Sequence, residues 1–316
     1  MRPDPTERIA DATKVDRGGT PNLFLVGAPK CGTTALHVYL DQHPDISMSS
    51  VKEPYGFADD LGVWRGRYSD DRAAYLALFR SMSTPFRGES SPGYLASLTA
   101  PDEIAAFSPE ARILVAVRNP IDTLHANHAQ MRAMGIETDP DFRRAVNRPP
   151  DERRPQRRFR GDDVFLDYFR FVDYAPQIER WRRAFGEDRV HVVVYDDIAR
   201  SAGATTAAVC RWLGIEERRL EGDRVNQSPT PRSYVLERNL RYPRSGGPGI
   251  EHISRHRLVR EARRAVLRWN RTTKPRTPLD DRTRAALAER LEPGIRALES
   301  CLDRDLEAWR PAAASR

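Results

Sequence analysis

The stretch LFLVGAPKCGTT, residues 23–34, constrains the fold of this chain more than any other part of its sequence. Its first half is an apolar run typical of a buried strand, and this run ends at Gly27. A second glycine follows at Gly32 and leads directly into helix-forming sequence. A strand, a glycine-containing loop and a helix N-terminus in this order present several backbone N–H groups to one anion. The stretch therefore predicts an α/β fold with an anion site at the strand end.

The lysine of this loop lies in an unusual place. Loops that bind nucleoside triphosphates continue after the second glycine with Lys and then Ser or Thr. Here Thr33 and Thr34 occupy those positions, and the lysine lies inside the loop at Lys30. The pattern indicates an anion site built differently from that of ATP or GTP enzymes. A plain strand-to-helix turn with chance glycine spacing is the alternative.

Two further apolar runs predict strands of the same sheet. They are RILVAVRNP at 112–120 and RVHVVVYDD at 189–197, and the helical sequence between them closes at Gly186. The tail at 280–309 also predicts a helix. Alternation of short apolar strands with helices predicts a P-loop-like parallel β-sheet flanked by helices on both faces. Ligands bind at the carboxyl ends of the strands of such sheets, so we expect the site there.

The composition of the chain indicates the charge of its partners and the compartment in which it works. The chain has 316 residues and a formal charge of +7, which favours anionic partners. The three cysteines, Cys31, Cys210 and Cys301, are odd in number and widely spaced. This pattern predicts neither a disulfide framework nor a metal site, and it favours the reducing cytoplasm. The apolar runs are far shorter than the ~20 residues of a membrane-spanning helix.

We expect a single domain over residues 21–316. Residues 1–20 are polar and predict a flexible leader rather than a signal peptide. An arginine-rich inserted loop is expected at about 135–162, and a basic C-terminal segment at about 232–276. The run 143–160 holds eight arginines. It is interpreted either as a solvated loop or as a lid over an anionic acceptor.

Taken together, the motifs resemble one enzyme family. PKCGTT, followed about twenty residues later by VKEPYGF, is similar to the sulfotransferases that use 3′-phosphoadenosine 5′-phosphosulfate (PAPS). The likeness continues in GESSPGYL at 88–95, in RILVAVRNPID at 112–122 and in the segment 171–198. The chain most resembles the bacterial branch similar to the Golgi heparan-type sulfotransferase domain. This resemblance implies transfer of a sulfuryl group to a hydroxyl or amine of a carbohydrate or secondary metabolite.

The resemblance assigns roles to the loop. The 5′-phosphosulfate end of the donor would be bound by Lys30, Cys31, Gly32, Thr33 and Thr34. Lys30 would also act in catalysis, by neutralising the charge that grows on the bridging oxygen as the S–O bond breaks. Because the leaving group is a phosphate, the resemblance implies that no metal is required.

Lys52 and Glu53, in VKEP, are the next implied catalytic residues. In the resembling branch this glutamate takes the proton from the acceptor, and Lys52 would compensate charge. On an extended backbone the two adjacent side chains would point apart. A surface Lys-Glu pair is the alternative interpretation. Four histidines remain rival bases, namely His37, His43, His125 and His128.

The resemblance implies that Arg118 binds the donor's 3′-phosphate. A guanidinium can donate two parallel hydrogen bonds to such a group. The family places a serine eight positions later, but this chain has Ala126 there. Asn127 or a C-terminal arginine is expected to compensate, and Arg232 in PTPRS is a further candidate contact. GESSPGYL departs as well, since Golgi relatives often carry a lysine where Ser90 stands. A strand-end salt bridge is the alternative role for Arg118.

Two other functions stay open at this point. One is a nucleotide-dependent kinase or phosphotransferase with a degenerate phosphate-binding loop, which would need magnesium and a metal-binding acid. The other is a non-enzymatic protein that binds nucleic acid through its basic stretches, with steep salt dependence. The sequence contains no recognised nucleic-acid motif. The expected partner is therefore a small-molecule or glycan acceptor, and the oligomeric state is left open.

Overall fold

The computed structural model of the chain describes residues 19–62, 67–149, 152, 163–220, 222, 230–241, 257–272 and 278–310. Its strands are β1 (Leu23–Gly27), β2 (Ile46–Met48), β3 (Phe86–Ser90), β4 (Arg112–Val117), β5 (Val190–Val194), β6 (Thr230–Pro231) and β7 (Arg271–Thr272). Its helices are α1 (Thr33–Leu40), α2 (Arg67–Asp70), α3 (Arg72–Ala77), α4 (Ala100–Phe107), α5 (Pro120–Met134), α6 (Phe142–Asn147), α7 (Asp163–Leu166), α8 (Tyr168–Phe171), α9 (Tyr174–Phe185), α10 (Tyr195–Arg200), α11 (Ala202–Leu213), α12 (Tyr234–Arg241), α13 (Arg257–Trp269) and α14 (Asp281–Leu302). Single turns of 3-10 helix cover Pro92–Ala96, Glu187–Arg189 and Glu307–Trp309.

A five-stranded parallel sheet, in the order β2-β3-β1-β4-β5, forms the centre of the described part of the chain. Every residue of β1 is buried, as expected for a strand in the middle of a parallel sheet covered on both faces. Leu23 pairs with Gly88 on one side and with Arg112 on the other. The predicted parallel α/β fold is confirmed, and β2 and β3 are strands that the apolar pattern did not indicate.

Two sets of helices cover the sheet. Helices α1 and α11 contact each other and pack against β2, β3 and β5. Helices α4 and α9 contact each other, and α9, which carries the fully buried Trp181, also packs against β4 and β5. Helix α9 ends at Gly186, which has a φ of 85° that favours glycine, so the predicted helix stop is confirmed. This packing holds the strand ends in fixed positions.

The C-terminal tail returns to the carboxyl edge of the sheet. Helix α14 packs against α5 and α9, and the 3-10 turn at Glu307–Trp309 follows it. The indole N–H of Trp309 donates to Asp196 Oδ2 at 2.6 Å, and Asn119 Nδ2 donates to the carbonyl of Trp309 at 3.1 Å. The predicted helical tail is therefore present, and it ties the ends of β4 and β5 together.

Most of the predicted leader, part of the arginine-rich insertion and part of the basic C-terminal segment lie outside the described residues. The single-domain prediction for 21–316 stays a prediction. Within the described part of the chain, no helix has the length and apolar character needed to cross a membrane.

Candidate active site

The loop between β1 and α1 has the geometry of an anion cradle. Gly32 caps α1 with a φ of 89°, and Lys30 also adopts a left-handed φ of 69°. Thr33 and Thr34 occupy the first turn of α1, where helix amides have no acceptor within the helix. The positive end of the helix dipole adds to their attraction for an anion. These features make the turn suited to hold a phosphate or sulfate group.

Two glycines permit this loop. A Cβ added at Gly27 would lie 2.4 Å from the Cβ of Leu95 and 2.8 Å from the carbonyl oxygen of Pro92. A Cβ at Gly32 would lie 3.1 Å from the Tyr195 ring, on a backbone with positive φ. Gly27 therefore allows β1 to pack closely against residues 92–95. Gly32 allows the left-handed backbone conformation at the start of α1.

The side chain of Cys31 is buried in the core, and its amide donates to the carbonyl of Ala28 at 3.3 Å. The thiol is fully buried, 3.8 Å from Thr123 Oγ1 and 3.7 Å from the hydroxyl of Tyr174. Burial raises the pKa of the Cys31 thiol to about 11. The side chain is therefore a neutral anchor between β1 and the helices behind it.

Arg118 lies where the ends of β1, β4 and β5 meet. Its Nη1 is 3.5 Å from the carbonyl oxygen of Lys30, a long hydrogen bond that places the guanidinium beside the loop. The same guanidinium lies 4.5 Å from the centre of the Tyr195 ring, in cation–π geometry. Its Nη2 is 3.9 Å from Asp122 Oδ2, and its side chain is 27% exposed. The guanidinium is therefore oriented beside the loop and still accessible to a ligand.

A C-terminal arginine joins this cluster. Arg284, on α14, donates to Asp122 Oδ1 at 3.1 Å, so two guanidinium groups share one carboxylate. The sequence indicated that some C-terminal arginine compensates for the missing serine, but no local pattern distinguished Arg284 from its neighbours. The contact joins residues 162 positions apart in the chain.

Asn127 and Arg232, the two other candidate contacts to PAPS, differ in burial. Asn127 is 1% exposed and donates from Nδ2 to the carbonyl of Phe165 at 2.9 Å, while Ala126 beside it is 2% exposed. Arg232 is exposed, and its guanidinium lies 5.7 Å from the centre of the Trp269 ring. The assignment of Asn127 and Arg232 to the donor stays a prediction.

Lys52 and Glu53 form an ion pair, with 2.6 Å between Nζ and Oε1. The expectation that these adjacent side chains point apart is wrong, because Glu53 has a φ of 61° and the backbone is not extended there. The amide of Glu53 donates to the carbonyl of Ser90 at 3.0 Å, so the pair lies at the carboxyl end of β3. The side chains are 25% and 36% exposed, which leaves both accessible.

Of the rival histidines, His37 lies near this pair. Burial, and then the charge of Lys52, lowers the pKa of His37, so it is neutral at pH 7. His43 is held by Glu216 and by the amide of Asp45, and His128 contacts the carbonyl of Asp139 at 3.0 Å. The remaining candidate, His125, packs against the Phe142 ring, with 5.2 Å between ring centres.

The described part of the 143–160 run is partly neutralised. Arg144 and Arg148 both pair with Asp139, at 2.7 and 2.9 Å, and Arg148 also approaches Glu137 at 3.5 Å. The Arg144 guanidinium holds the pKa of the Asp139 carboxyl well below its usual range. The other arginines of the run at 153–160 lie outside the described residues. In the described part of the chain, no three His, Cys, Asp or Glu side chains cluster as a metal site.

The chain matches known proteins over most of its length. A family model described as "Sulfotransferase domain" matches residues 20–228. The chain is 27% identical over 204 residues to bifunctional heparan sulfate N-deacetylase/N-sulfotransferase 1 of Mus musculus, covering 62% of this chain and 22% of that protein. It is 25% identical over 201 residues to the type 2 protein of Bos taurus, again over 62% of this chain and 22% of that relative.

A solved structure of a sulfotransferase has the same fold. The sulfotransferase from Alicyclobacillus acidocaldarius superimposes with a TM-score of 0.67 at 24% identity, over 92% of this chain and 99% of that one. At this identity the likeness shows the fold. The match of the family model extends over more than half of the chain and includes the loop, Lys52, Glu53 and Arg118. The chain therefore belongs to the sulfotransferase family, as the resemblance of its motifs predicted.

Proposed function

We propose that this chain is a PAPS-dependent sulfotransferase. It transfers a sulfuryl group to a hydroxyl or amine of a carbohydrate or secondary-metabolite acceptor. The observation that carries the proposal is the position of Arg118, 3.5 Å from the carbonyl of Lys30 in the anion-binding loop. A donor with phosphate groups at both the 5′ and 3′ positions needs two anion sites side by side, and a helix N-terminus next to a strand-end guanidinium supplies them.

The loop binds the 5′-phosphosulfate group. The backbone amides of Gly32, Thr33 and Thr34 face the group, and the two threonine hydroxyls donate to its oxygens. Lys30 supplies a point charge that offsets the negative charge on the bridging oxygen. Arg118 grips the 3′-phosphate, with Arg284 close behind it on the other side of Asp122.

The transfer itself is an in-line displacement at sulfur. The acceptor oxygen or nitrogen forms a bond to sulfur while the S–O bond to the 5′-phosphate breaks. Adenosine 3′,5′-bisphosphate (PAP) leaves, and the proton of the acceptor passes to the carboxylate of Glu53. Lys52, which is 2.6 Å from that carboxylate, orients it and limits the build-up of charge.

The names of the relatives and the net charge of this chain support one acceptor class to test first. The relatives named above carry heparan sulfate N-sulfotransferase activity in their names, so the amine of an amino sugar is the first acceptor to test. The net charge of +7 favours an anionic glycan over a neutral one. The cysteine pattern supports an enzyme of the reducing cytoplasm, and the resemblance of the motifs to the bacterial branch supports a bacterial enzyme.

Two measurements test the proposal. A thermal-shift titration compares PAP with ATP and magnesium, and we expect stabilisation by PAP alone. A panel of N-desulfated heparan sulfate, heparosan and a simple phenol is then incubated with PAPS labelled in its sulfuryl group. Label on one acceptor, with release of PAP, supports the proposal. Stabilisation by ATP with magnesium and not by PAP would instead favour a phosphotransferase.

A further inference from the structure

A buried carboxylate lies beneath the segment that carries Glu53. Glu89, in β3, has 0% exposure, and three hydroxyl groups donate to it. Tyr75 and Tyr94 donate to Oε1 at 2.7 and 3.1 Å, and Ser91 donates to Oε2 at 2.6 Å. An ionised carboxylate only accepts hydrogen bonds, so three convergent hydroxyl donors match it. Burial raises the pKa of the Glu89 carboxyl, and the hydrogen bonds from the three hydroxyls oppose this shift.

Two of these hydroxyls also hold the backbone of the neighbouring segment. The amide of Tyr55 donates to Ser91 Oγ at 3.1 Å, and the amide of Phe57 donates to the hydroxyl of Tyr94 at 3.2 Å. Because each hydroxyl oxygen accepts from an amide, its own hydrogen is directed at Glu89. The result is two aligned chains from amide to hydroxyl to carboxylate, in which each hydrogen bond polarises the next.

The segment held in this way has an unfavourable backbone. Glu53, Tyr55 and Ala58 have φ values of 61°, 49° and 71°, in the left-handed region that residues with a side chain rarely adopt. Such residues keep this conformation only where the surrounding structure over-determines it. The amide of Glu53 donates to the carbonyl of Ser90 at the end of β3, so β3 and the turn that follows it hold the segment at three points.

We propose that Glu89 is a positioning residue for sulfuryl transfer, which orders the hydroxyls of Ser91 and Tyr94 and through them holds residues 53–58 so that Glu53 faces the acceptor. The inference rests on the proposed function, in which Glu53 takes the acceptor's proton. It adds a residue that touches neither donor nor acceptor. Its effect reaches the reaction through the two backbone amides that follow Glu53.

The chain offers a matched pair of variants for the test. Tyr75 and Tyr94 are both fully buried tyrosines that donate to the same oxygen of Glu89. Of the two, only Tyr94 also accepts a hydrogen bond from an amide of the 53–58 segment. In the described part of the chain, no amide donates to the Tyr75 hydroxyl. Tyr94→Phe and Tyr75→Phe therefore remove equivalent bonds from the carboxylate, and only the first releases the segment.

The experiment measures two properties of wild type and of both variants. The first is hydrogen–deuterium exchange of a peptide covering residues 49–58. The second is kcat and the KM for PAPS, with the panel acceptor that wild type sulfates. We expect similar losses of melting temperature in both variants. Only Tyr94→Phe should speed exchange of the peptide and lower kcat, by about tenfold to a hundredfold for a misplaced catalytic group. The KM for PAPS should stay within about twofold.

The outcomes separate this inference from the proposed function. Equal exchange and equal kcat in the two variants would overturn the positioning role. Faster exchange in Tyr94→Phe with unchanged kcat would also overturn it, because the held segment would then not matter to the chemistry. If wild type transfers no label to any acceptor, the proposed function fails, and the exchange comparison of wild type, Tyr94→Phe and Glu89→Gln still decides whether Tyr94 and Glu89 hold the segment. Glu89→Gln tests the carboxylate itself and should resemble Tyr94→Phe in exchange and in kcat. Exchange and kcat equal to those of wild type in Glu89→Gln would overturn the role of Glu89.

Discussion

Arg284 donates to Asp122 at 3.1 Å, although the two residues lie on different helices and 162 positions apart. Asp122 lies four residues after Arg118, whose guanidinium is 3.9 Å from the same carboxylate. Arg284 therefore pairs with the Asp122 carboxylate, which would otherwise pair closely with Arg118. This arrangement leaves Arg118 free to bind an anion and adds a second positive charge nearby.

The first prediction concerns Arg284. We expect Arg284→Ala to weaken PAP binding by about twofold to fivefold, since a partly exposed charge contributes roughly up to 1 kcal/mol. The loss follows because Asp122 becomes free to pair with Arg118. Isothermal calorimetry measures it, and Arg296→Ala is the matched control, because Arg296 lies on the same helix and pairs with Glu292 at the surface. Equal affinity in the two variants would contradict the role.

The second prediction concerns Arg118. Arg118→Ala should lose most of its affinity for PAP and little for AMP, because only PAP carries the 3′-phosphate that this guanidinium is proposed to bind. Calorimetry with the two nucleotides measures the difference. Equal losses for both would show that Arg118 does not recognise the 3′ group.

A related change tests the missing serine. Ala126→Ser places the family's hydroxyl eight residues after Arg118, and it should strengthen PAP binding by about 1 kcal/mol for one hydrogen bond. Ala126 is 2% exposed, so the melting temperature of the variant is measured alongside the affinity. Unchanged PAP affinity in a variant of normal stability would show that position 126 does not face the phosphate.

The third prediction concerns Lys30. Lys30→Ala should lower turnover by about a hundredfold to a thousandfold, as expected when one strong donor to the developing charge is removed. The melting temperature should change little, because the side chain is partly exposed. Steady-state rates of PAP release measure the loss. Turnover within about tenfold of wild type would rule out a direct catalytic role.

The fourth prediction concerns Glu53 and its nearest rival. Glu53→Gln should keep PAP affinity and lose turnover by about a hundredfold to ten-thousandfold, because glutamine preserves size but cannot accept the proton. His37→Gln is the control, since His37 lies close enough for the charge of Lys52 to affect its pKa. The reverse result, with the His37 variant inactive and the Glu53 variant active, would assign the base to His37.

The fifth prediction concerns pH and the C-terminal tail. Hydrogen bonds from Arg310 lower the pKa of Glu299 to about 2, below its usual value of 4.5. A depressed carboxylate pKa contributes stability above pH 4.5, and this contribution is lost as the pH falls toward 2. Glu299→Gln should therefore lower the melting temperature at pH 7, and the difference from wild type should shrink on acidification. A constant difference between pH 7 and pH 3 would contradict this linkage.

Local sequence patterns were sufficient for the central part of the fold. The apolar run of β1, the two glycines and the helix-forming residues after them are all contiguous, so their pattern alone predicted a strand, an anion loop and a helix. The same is true of β4, which is followed directly by Arg118. The periodicities of strands and helices act over a few residues, and short motifs preserve that information.

Strands β2 and β3 were not predicted, because their conformation depends on their neighbours. The sequence of β3, FRGES, has no apolar run, and two of its buried residues are Glu89 and Ser90. It forms a strand because Gly88 and its neighbours pair with β1 on one side and β2 on the other. A strand of this kind is decided by long-range hydrogen bonding that local propensity does not encode.

By itself the sequence determined the family, the parallel sheet and the loop with its lysine, since each depends on residues close together in the chain. Only the tertiary structure decided how the site is completed. In the tertiary structure Arg284 donates to Asp122, and Glu53 pairs with Lys52. Glu89 lies beneath the segment that carries Glu53. These relationships depend on side chains from distant elements that meet at one edge of the sheet. Hydrogen bonds and charges act over a few ångströms in space, whatever the separation of the residues in the sequence.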